Sequence, residues 1–274
     1  MTLQELLAGK TALPSMPKVV TALLQELDRE EPDLRAISQL INTDPALTTR
    51  LLQLANSAQF QLSSKVGSVS EALALAGFDQ VRTITLTAAM ANAFKAVQGI
   101  DIEQFWRYSL NVAKLARTYA GLARHNRATA FTSGLIHATG ELAMHLGMPQ
   151  EMARLSLTGG PLDLHRADAE QTRLGFTYAD VGAAFAQSWL FPPPIVRALA
   201  QQCRPLDQGP MEPLAGILHL ASWRARAQEA RCDDAYLLEH CPRAVAAVLG
   251  IDEPTAVRQD LVEWTLPSEV NALT

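Results

Sequence analysis

Apolar residues return at intervals of three and four along most of this chain, the spacing that lines one face of a helix. Met16, Val19, Val20, Leu23, Leu24 and Leu27 make one such stripe. Leu34, Ile37, Leu40 and Ile41 make the next, opened by Asp33, a residue suited to the N-cap. Asn42-Thr43-Asp44-Pro45 is a start signal: Asp44 can accept the first amides, and Pro45 stands where no amide hydrogen is required. The helix it opens turns Leu47, Leu51, Leu52, Leu54 and Ala55 inward. A polar loop over 57–68 follows. Ser68 or Ser70 then caps a short helix that stops at Gly77, and Asp79 starts another toward Val97.

The second half opens at Asp101, whose Asp-Ile-Glu-Gln-Phe-Trp run predicts a helix over about 101–124. A further helix is expected over about 127–146, and between Gly147 and Gly160 the helical signal weakens. Helices resume over about 163–174 and 178–190. Phe191-Pro-Pro-Pro breaks the chain before a helix over 195–202. A linker over 204–213, a helix over 214–230 and a weakly patterned helical tail complete the chain. No segment alternates with the period of a strand. The pattern predicts an all-α fold, a compact multi-helix bundle of two packed helical halves.

Composition and charge then exclude several classes. The chain has 274 residues, 48% hydrophobic and 19% charged, which is a globular and not a disordered balance. No apolar run approaches the ~20 residues that cross a bilayer, and the N-terminus lacks a basic start with an apolar stretch. It reads as a short amphipathic helix lying on the domain. Cys203, Cys232 and Cys241 are odd in number and form no Cys-x-x-Cys pair, so reduced thiols in a cytoplasm are expected. A net charge of −5 gives no overall field for nucleic acid. A local basic surface at Arg117, Arg124 and Arg127 stays open.

The chemistry centres on Phe131-Thr-Ser-Gly-Leu-Ile-His-Ala-Thr-Gly-Glu-Leu. A helix-borne His-Asp doublet holds a divalent ion because imidazole and carboxylate reach it together. Here Ala138 follows His137 and can neither ligate a metal nor move a proton. His137 therefore reads as a remnant ligand or as a histidine satisfied by hydrogen bonds inside a former cleft. Glu141 and His145 follow at four-residue steps and share its face if the helix is unbroken. Eight residues at 1.5 Å rise put the two histidines about 12 Å apart, too far to share one ion, and Gly140 weakens helical continuity.

A series of ordered stretches suggests a family. Leu13-Pro-Ser-Met-Pro-Lys-Val, the run from Asp44-Pro-Ala-Leu to Ala-Asn-Ser-Ala, and Val69-Ser-Glu-Ala-Leu-Ala-Leu-Ala-Gly-Phe-Asp-Gln-Val-Arg resemble the HDOD domain. Phe105-Trp-Arg-Tyr-Ser-Leu and Gly134-Leu-Ile-His-Ala-Thr-Gly-Glu-Leu continue the match, as do Gly175-Phe-Thr-Tyr-Ala-Asp-Val-Gly-Ala and His219-Leu-Ala. That domain is an all-helical, signalling-associated relative of the HD phosphohydrolases. The resemblance implies that the positions of the metal ligands are held here by Tyr108, His137 with Ala138, Tyr178 and Ser222. Only His137 among them is a ligand type, so the resemblance implies the scaffold and argues against the ancestral reaction. Tyr108 and Tyr178 either line a pocket with His137 and Glu141 for a planar or phosphorylated ligand, or fill space that metal and water vacated.

The resemblance sets the domain plan: an N-terminal helix over 1–12, an HDOD-like domain over 13–230 split into 13–98 and 99–230, and a C-terminal helical extension over 231–274. It implies a non-catalytic bacterial signalling module, without cofactor or metal, and linked to cyclic-dinucleotide, motility or stress control. Its expected partners are another signalling protein reached in trans and a small signalling ligand, with no membrane and nucleic acid disfavoured. Apolar groups in the 60–66 loop and the Phe191-Pro-Pro-Pro run are docking candidates, unless they fold back over the core. Two alternatives remain, a residual metal-dependent phosphohydrolase around His137, Glu141 and His145, and a nucleic-acid-binding regulator.

Overall fold

The computed structural model describes residues 2–9, 18–27, 29–43, 48–49, 51–52, 55–56, 64–94, 96–189, 191–207, 209–258 and 260–265. Its described residues are helical, with no strand, as the three-four spacing predicts. They fall into two compact units: Met1–Leu13 with Ala96–Thr265, and Pro14–Lys95 with a C-terminal stretch. The signal at Asp44-Pro45, Arg50, and most of the 60–66 loop lie outside the described residues.

In the smaller unit, α2 (Lys18–Leu27), α3 (Leu34–Asn42) and α4 (Val69–Ala93) pack on one another, α1 (Leu3–Ala8) belonging to the other unit. Val20, Leu23, Leu24, Ile37 and Ile41 are buried at the positions the stripes predict. Asp33 caps α3 by accepting from the amides of Arg35 and Ala36. Ser68 caps α4, accepting from the Glu71 amide at 3.2 Å. Gly77 interrupts α4 with φ +74°, a left-handed conformation that glycine takes without a Cβ clash. The helix stop read at Gly77 is thus a kink between two helical runs. Asn56 pins Val66 from both sides, donating to its carbonyl and accepting from its amide, each at 2.8 Å. A mostly apolar concavity of about 330 Å³ lies between α3 and α4, lined by Leu34, Ser38, Ser70 and Leu73 among others.

The larger unit is built around α5 (Ile102–Leu122), which Asp101 starts by accepting from the Gln104 amide. Its buried positions, Phe105, Trp106, Tyr108, Val112, Leu115 and Tyr119 among them, run almost all round the cylinder. A helix buried on every side needs neighbours on every side. α6 (Arg127–Ile136) takes one flank and α12 (Pro213–Glu229) another, while α10 (Tyr178–Ser188) packs on α7 (Thr139–Gly147) and on α11 (Pro193–Gln201), and α11 packs on α6 and α12. α1 packs on α10, with Leu6 buried. Arg107 on α5 grips Glu229 on α12 through Nε and Nη2, at 3.2 and 2.8 Å, and so fixes the register of the two helices.

Three local departures from the pattern have physical causes. The helix expected over 127–146 breaks at His137–Ala138, dividing α6 from α7. A helix α8 (Pro149–Ser156) occupies the weak region, burying only Met152 and Leu155, too few for a clear stripe, and α9 (Arg166–Leu174) follows where a helix is expected. The tail forms α13 (Asp234–Glu239), α14 (Arg243–Val248) and α15 (Glu253–Val257), then crosses α5. Tyr119 donates to the Ala256 carbonyl at 2.8 Å, Lys114 to that of Glu263 at 2.9 Å, and the Thr265 amide to Asn111 Oδ1 at 2.8 Å. The extension therefore covers the central helix. No helix among the described residues is long and apolar enough to cross a membrane.

Candidate functional site

The break at His137 is what aims its imidazole. Gly134 lets α6 approach α5 closely, since a Cβ there would come within 2.7 Å of the Ala113 Cα. Gly140 does the same for α7 and α10, where a Cβ would land on the Tyr178 carbonyl oxygen. Gln202 at the end of α11 donates to the His137 carbonyl at 2.8 Å, satisfying a backbone group the broken helix leaves open. His137 is thereby seated between α5, α10 and α11, fully buried.

Its hydrogen bonds form a directed chain. A guanidinium can only donate, so Arg226 Nε gives its hydrogen to Tyr108 Oη at 3.0 Å. Tyr108 then gives its own to His137 Nε2 at 2.9 Å, which leaves Nδ1 as the protonated nitrogen, donating to the Gly134 carbonyl at 2.7 Å. Burial, with Arg226 adding to it, holds the His137 imidazole down to about 3. The ring is neutral, in one tautomer, with its lone pair occupied. Arg226 lies over the Tyr178 ring at 5.2 Å and the Tyr108 ring at 5.8 Å. Burial pushes the Tyr108 and Tyr178 phenols up and the Cys203 thiol up to about 11, so all three stay protonated. The Cys203 thiol faces the Tyr178 hydroxyl.

A divalent ion does not fit this donor set. The one imidazole lone pair accepts from Tyr108, Ala138 offers no ligand, and a fixed cation stands where an acidic ligand is needed. Ser222 turns back to the His219 carbonyl at 3.1 Å. Among the described residues, no group of three or more His, Cys, Asp or Glu side chains is arranged to hold a metal.

Glu141 and His145 belong to a separate cluster. Arg166 Nη2 donates to Glu141 Oε1 at 2.6 Å, its Nε to Glu170 Oε1 at 3.0 Å and its Nη1 to the Gly159 carbonyl at 2.9 Å. Glu170 Oε2 accepts from the Tyr178 amide at 2.7 Å, which ties α9 to the start of α10. Burial, then the neighbouring Glu141, pushes the Glu170 carboxyl well above its ordinary range. His145 Nδ1 faces the Gln98 carbonyl at 3.0 Å, and Nε2 lies 3.5 Å from Glu141 Oε1. The face imagined for His137, Glu141 and His145 is divided by the helix break, and the pocket expected from Tyr108, His137, Glu141 and Tyr178 loses Glu141 to Arg166.

The remaining candidates are placed as follows. Phe191 is buried, whereas Pro193 and Pro194 are exposed at the start of α11, so the aromatic side chain folds over the core. Arg117 lies over the Phe131 ring at 5.1 Å, and Arg124 and Arg127 are exposed. Sequence reasoning missed Arg226, Cys203, Arg166 and Glu170. Arg226 had a signal: it falls four residues after Ser222, on the same face of α12.

Comparison with known proteins follows the same lines. A crystal structure from Shewanella amazonensis, provisionally assigned as a phosphohydrolase, is 28% identical with a TM-score of 0.75, over 95% of this chain and 92% of that one. One from Marinobacter aquaeolei, provisionally assigned as a signal-transduction protein, has a TM-score of 0.67 at 20% identity, over 100% of this chain and 60% of that one, a likeness of fold. An uncharacterised Treponema pallidum protein is 26% identical over 198 residues, 68% of this chain and 37% of its own length. The chain thus spans little more than a third of that relative. The HDOD domain model matches residues 13–205, and the chain belongs to the HDOD domain family.

Proposed function

We propose that this HDOD protein is a non-catalytic signalling module of the cytoplasm, acting by binding another signalling protein in trans. The observation that carries the reading is the chain from Arg226 through Tyr108 to His137, which occupies the one imidazole lone pair and sets a cation beside it. Hydrolysis on this scaffold needs an ion to activate water, and the donor set offers that ion one occupied imidazole. The signal-transduction description of the Marinobacter fold neighbour agrees with the reading, and the phosphohydrolase description of the Shewanella protein supplies its rival.

Metal analysis of protein purified without chelator, with phosphomonoesterase and phosphodiesterase assays in manganese, tests it. The expected result is metal far below one ion per chain and no turnover above blank. Stoichiometric metal that disappears in His137→Ala, together with hydrolysis, would establish the rival. Affinity capture from the native cell should return one signalling protein reproducibly, and it should bind the purified chain directly.

A further inference from the structure

Arg226 is a buried cation without an anion. Its exposure is 6%, and among the described residues no carboxylate pairs with it. Its only hydrogen bond among them runs from Nε to Tyr108. Nη1 and Nη2 make none, and unlike Nε and Nη2 of Arg224 they are not closed off from solvent. Arg107 holds Glu229 and Arg166 holds both Glu141 and Glu170, whereas Arg117 and Arg224, like Arg226, lie over aromatic rings. A desolvated guanidinium with no counter-charge is costly to keep, and its free fork matches the oxygens of a carboxylate or phosphate.

The neighbours of that fork favour an anion. Tyr108, Tyr178 and Cys203 are the titratable groups that sense Arg226 most strongly, and each is held in its neutral, protonated form. None of them brings negative charge to compete for the guanidinium. Cys203, whose thiol faces the Tyr178 hydroxyl, keeps part of its surface exposed.

We propose that Arg226 is the receptor of a small-molecule site: a compact oxyanion, the phosphate or carboxylate end of a signalling ligand, enters beside Cys203 and pairs with Nη1 and Nη2. The proposal rests on the non-catalytic reading of the same place. The place has the positive sign a metal would give it, supplied by a side chain that cannot activate water.

The test uses the full chain, with inorganic phosphate and acetate as probes at constant ionic strength against chloride. Phosphate, acetate or both should raise the unfolding temperature saturably, and the stronger of the two identifies the oxyanion. The same probe should slow N-ethylmaleimide modification of Cys203 several-fold while leaving Cys232 unchanged. Arg226→Gln should weaken that binding by about tenfold or more, as loss of a charged hydrogen-bond donor predicts, and Arg226→Lys should retain part of it. If the Gln variant does not fold, protection of Cys203 in the parent chain decides. Absence of both a thermal shift and protection overturns the site. Anion binding that vanishes with chelator and returns with manganese overturns the non-catalytic reading as well, whereas silence toward anions in metal-free protein removes this inference alone.

Discussion

Arg166 and Arg226 are both buried in the same unit, at 1% and 6% exposure, and their partners differ in kind. Arg166 sits between two carboxyl groups and a backbone carbonyl, with all its guanidinium nitrogens engaged. Arg226 has one phenol and two aromatic faces. The first arrangement is a staple, since it joins α9 to α7 and, through Glu170, to α10. The second leaves positive charge uncompensated beside His137. A buried charge with partners on every side stabilises a fold, while one left with free donors is the kind a ligand can use.

The contrast is broken most directly at Arg166. Arg166→Ala strands Glu141 and Glu170 in a dry site, and the expected loss is about 3–5 kcal/mol in urea unfolding. A loss below about 1 kcal/mol would deny Arg166 its role as a staple. Tyr108→Phe should cost less, about 2–3 kcal/mol, because it leaves His137 Nε2 without a donor and Arg226 Nε without an acceptor. Tyr178→Phe keeps both of those bonds and serves as the control. Equal losses in the two tyrosine variants would mean that the hydrogen-bonded chain contributes nothing beyond packing.

Acid separates the two regions by sign. His137 titrates near 6.5 when unfolded and is held down to about 3 in the fold. Between those values the unfolded chain binds the proton, so stability present above about pH 6.5 is lost as pH falls toward 3, at about 1.4 kcal/mol per unit. His145 and His219, also lowered by burial, add the same sign. Glu170 acts oppositely. Its carboxyl is raised well above 4.5, so the folded chain holds that proton, and the stability it adds in acid is lost as pH rises from about 4.5 through the raised value. Urea midpoints against pH should therefore lose part of their alkaline-side decline in Glu170→Gln. They should lose one proton's share of the acid slope in His137→Gln. Unchanged profiles in both variants would remove the electrostatic contrast.

Much of this was legible in the sequence because it depends on local rules. The stripes in α2 and α3, the caps at Asp33, Ser68 and Asp101, and the interruption at Gly77 are each decided within one or two turns of chain. The replaced doublet at His137–Ala138 was equally local. What closes the site was not, because Tyr108 and Arg226 lie 118 residues apart and meet only once α12 packs on α5. Arg166 and Glu170 were hidden for a related reason: on α9 they read as ordinary charges at an i, i+4 spacing, which normally marks a solvated face. Their burial depends on α7 and α10, which the helix signal of α9 cannot report.

The smallest expected effect is the sharpest test of the comparison. Arg226→Met keeps a long apolar stem against Tyr108 and Tyr178 and removes a cation that no carboxylate balances. Tyr108 loses one donor but still gives its own hydrogen to His137, so no buried group is left wholly unsatisfied. The change should stay within about 1 kcal/mol of the parent, in either direction, against the several lost at Arg166. Removing the cation also relieves part of what holds the His137 imidazole down, so the acid loss of stability should still begin near His137's unfolded value but end sooner. A variant as damaged as Arg166→Ala would mean that Arg226 is a staple after all, with its counter-charge supplied from somewhere other than a ligand. A variant of parental stability that no longer responds to oxyanions would show that the charge is kept for binding.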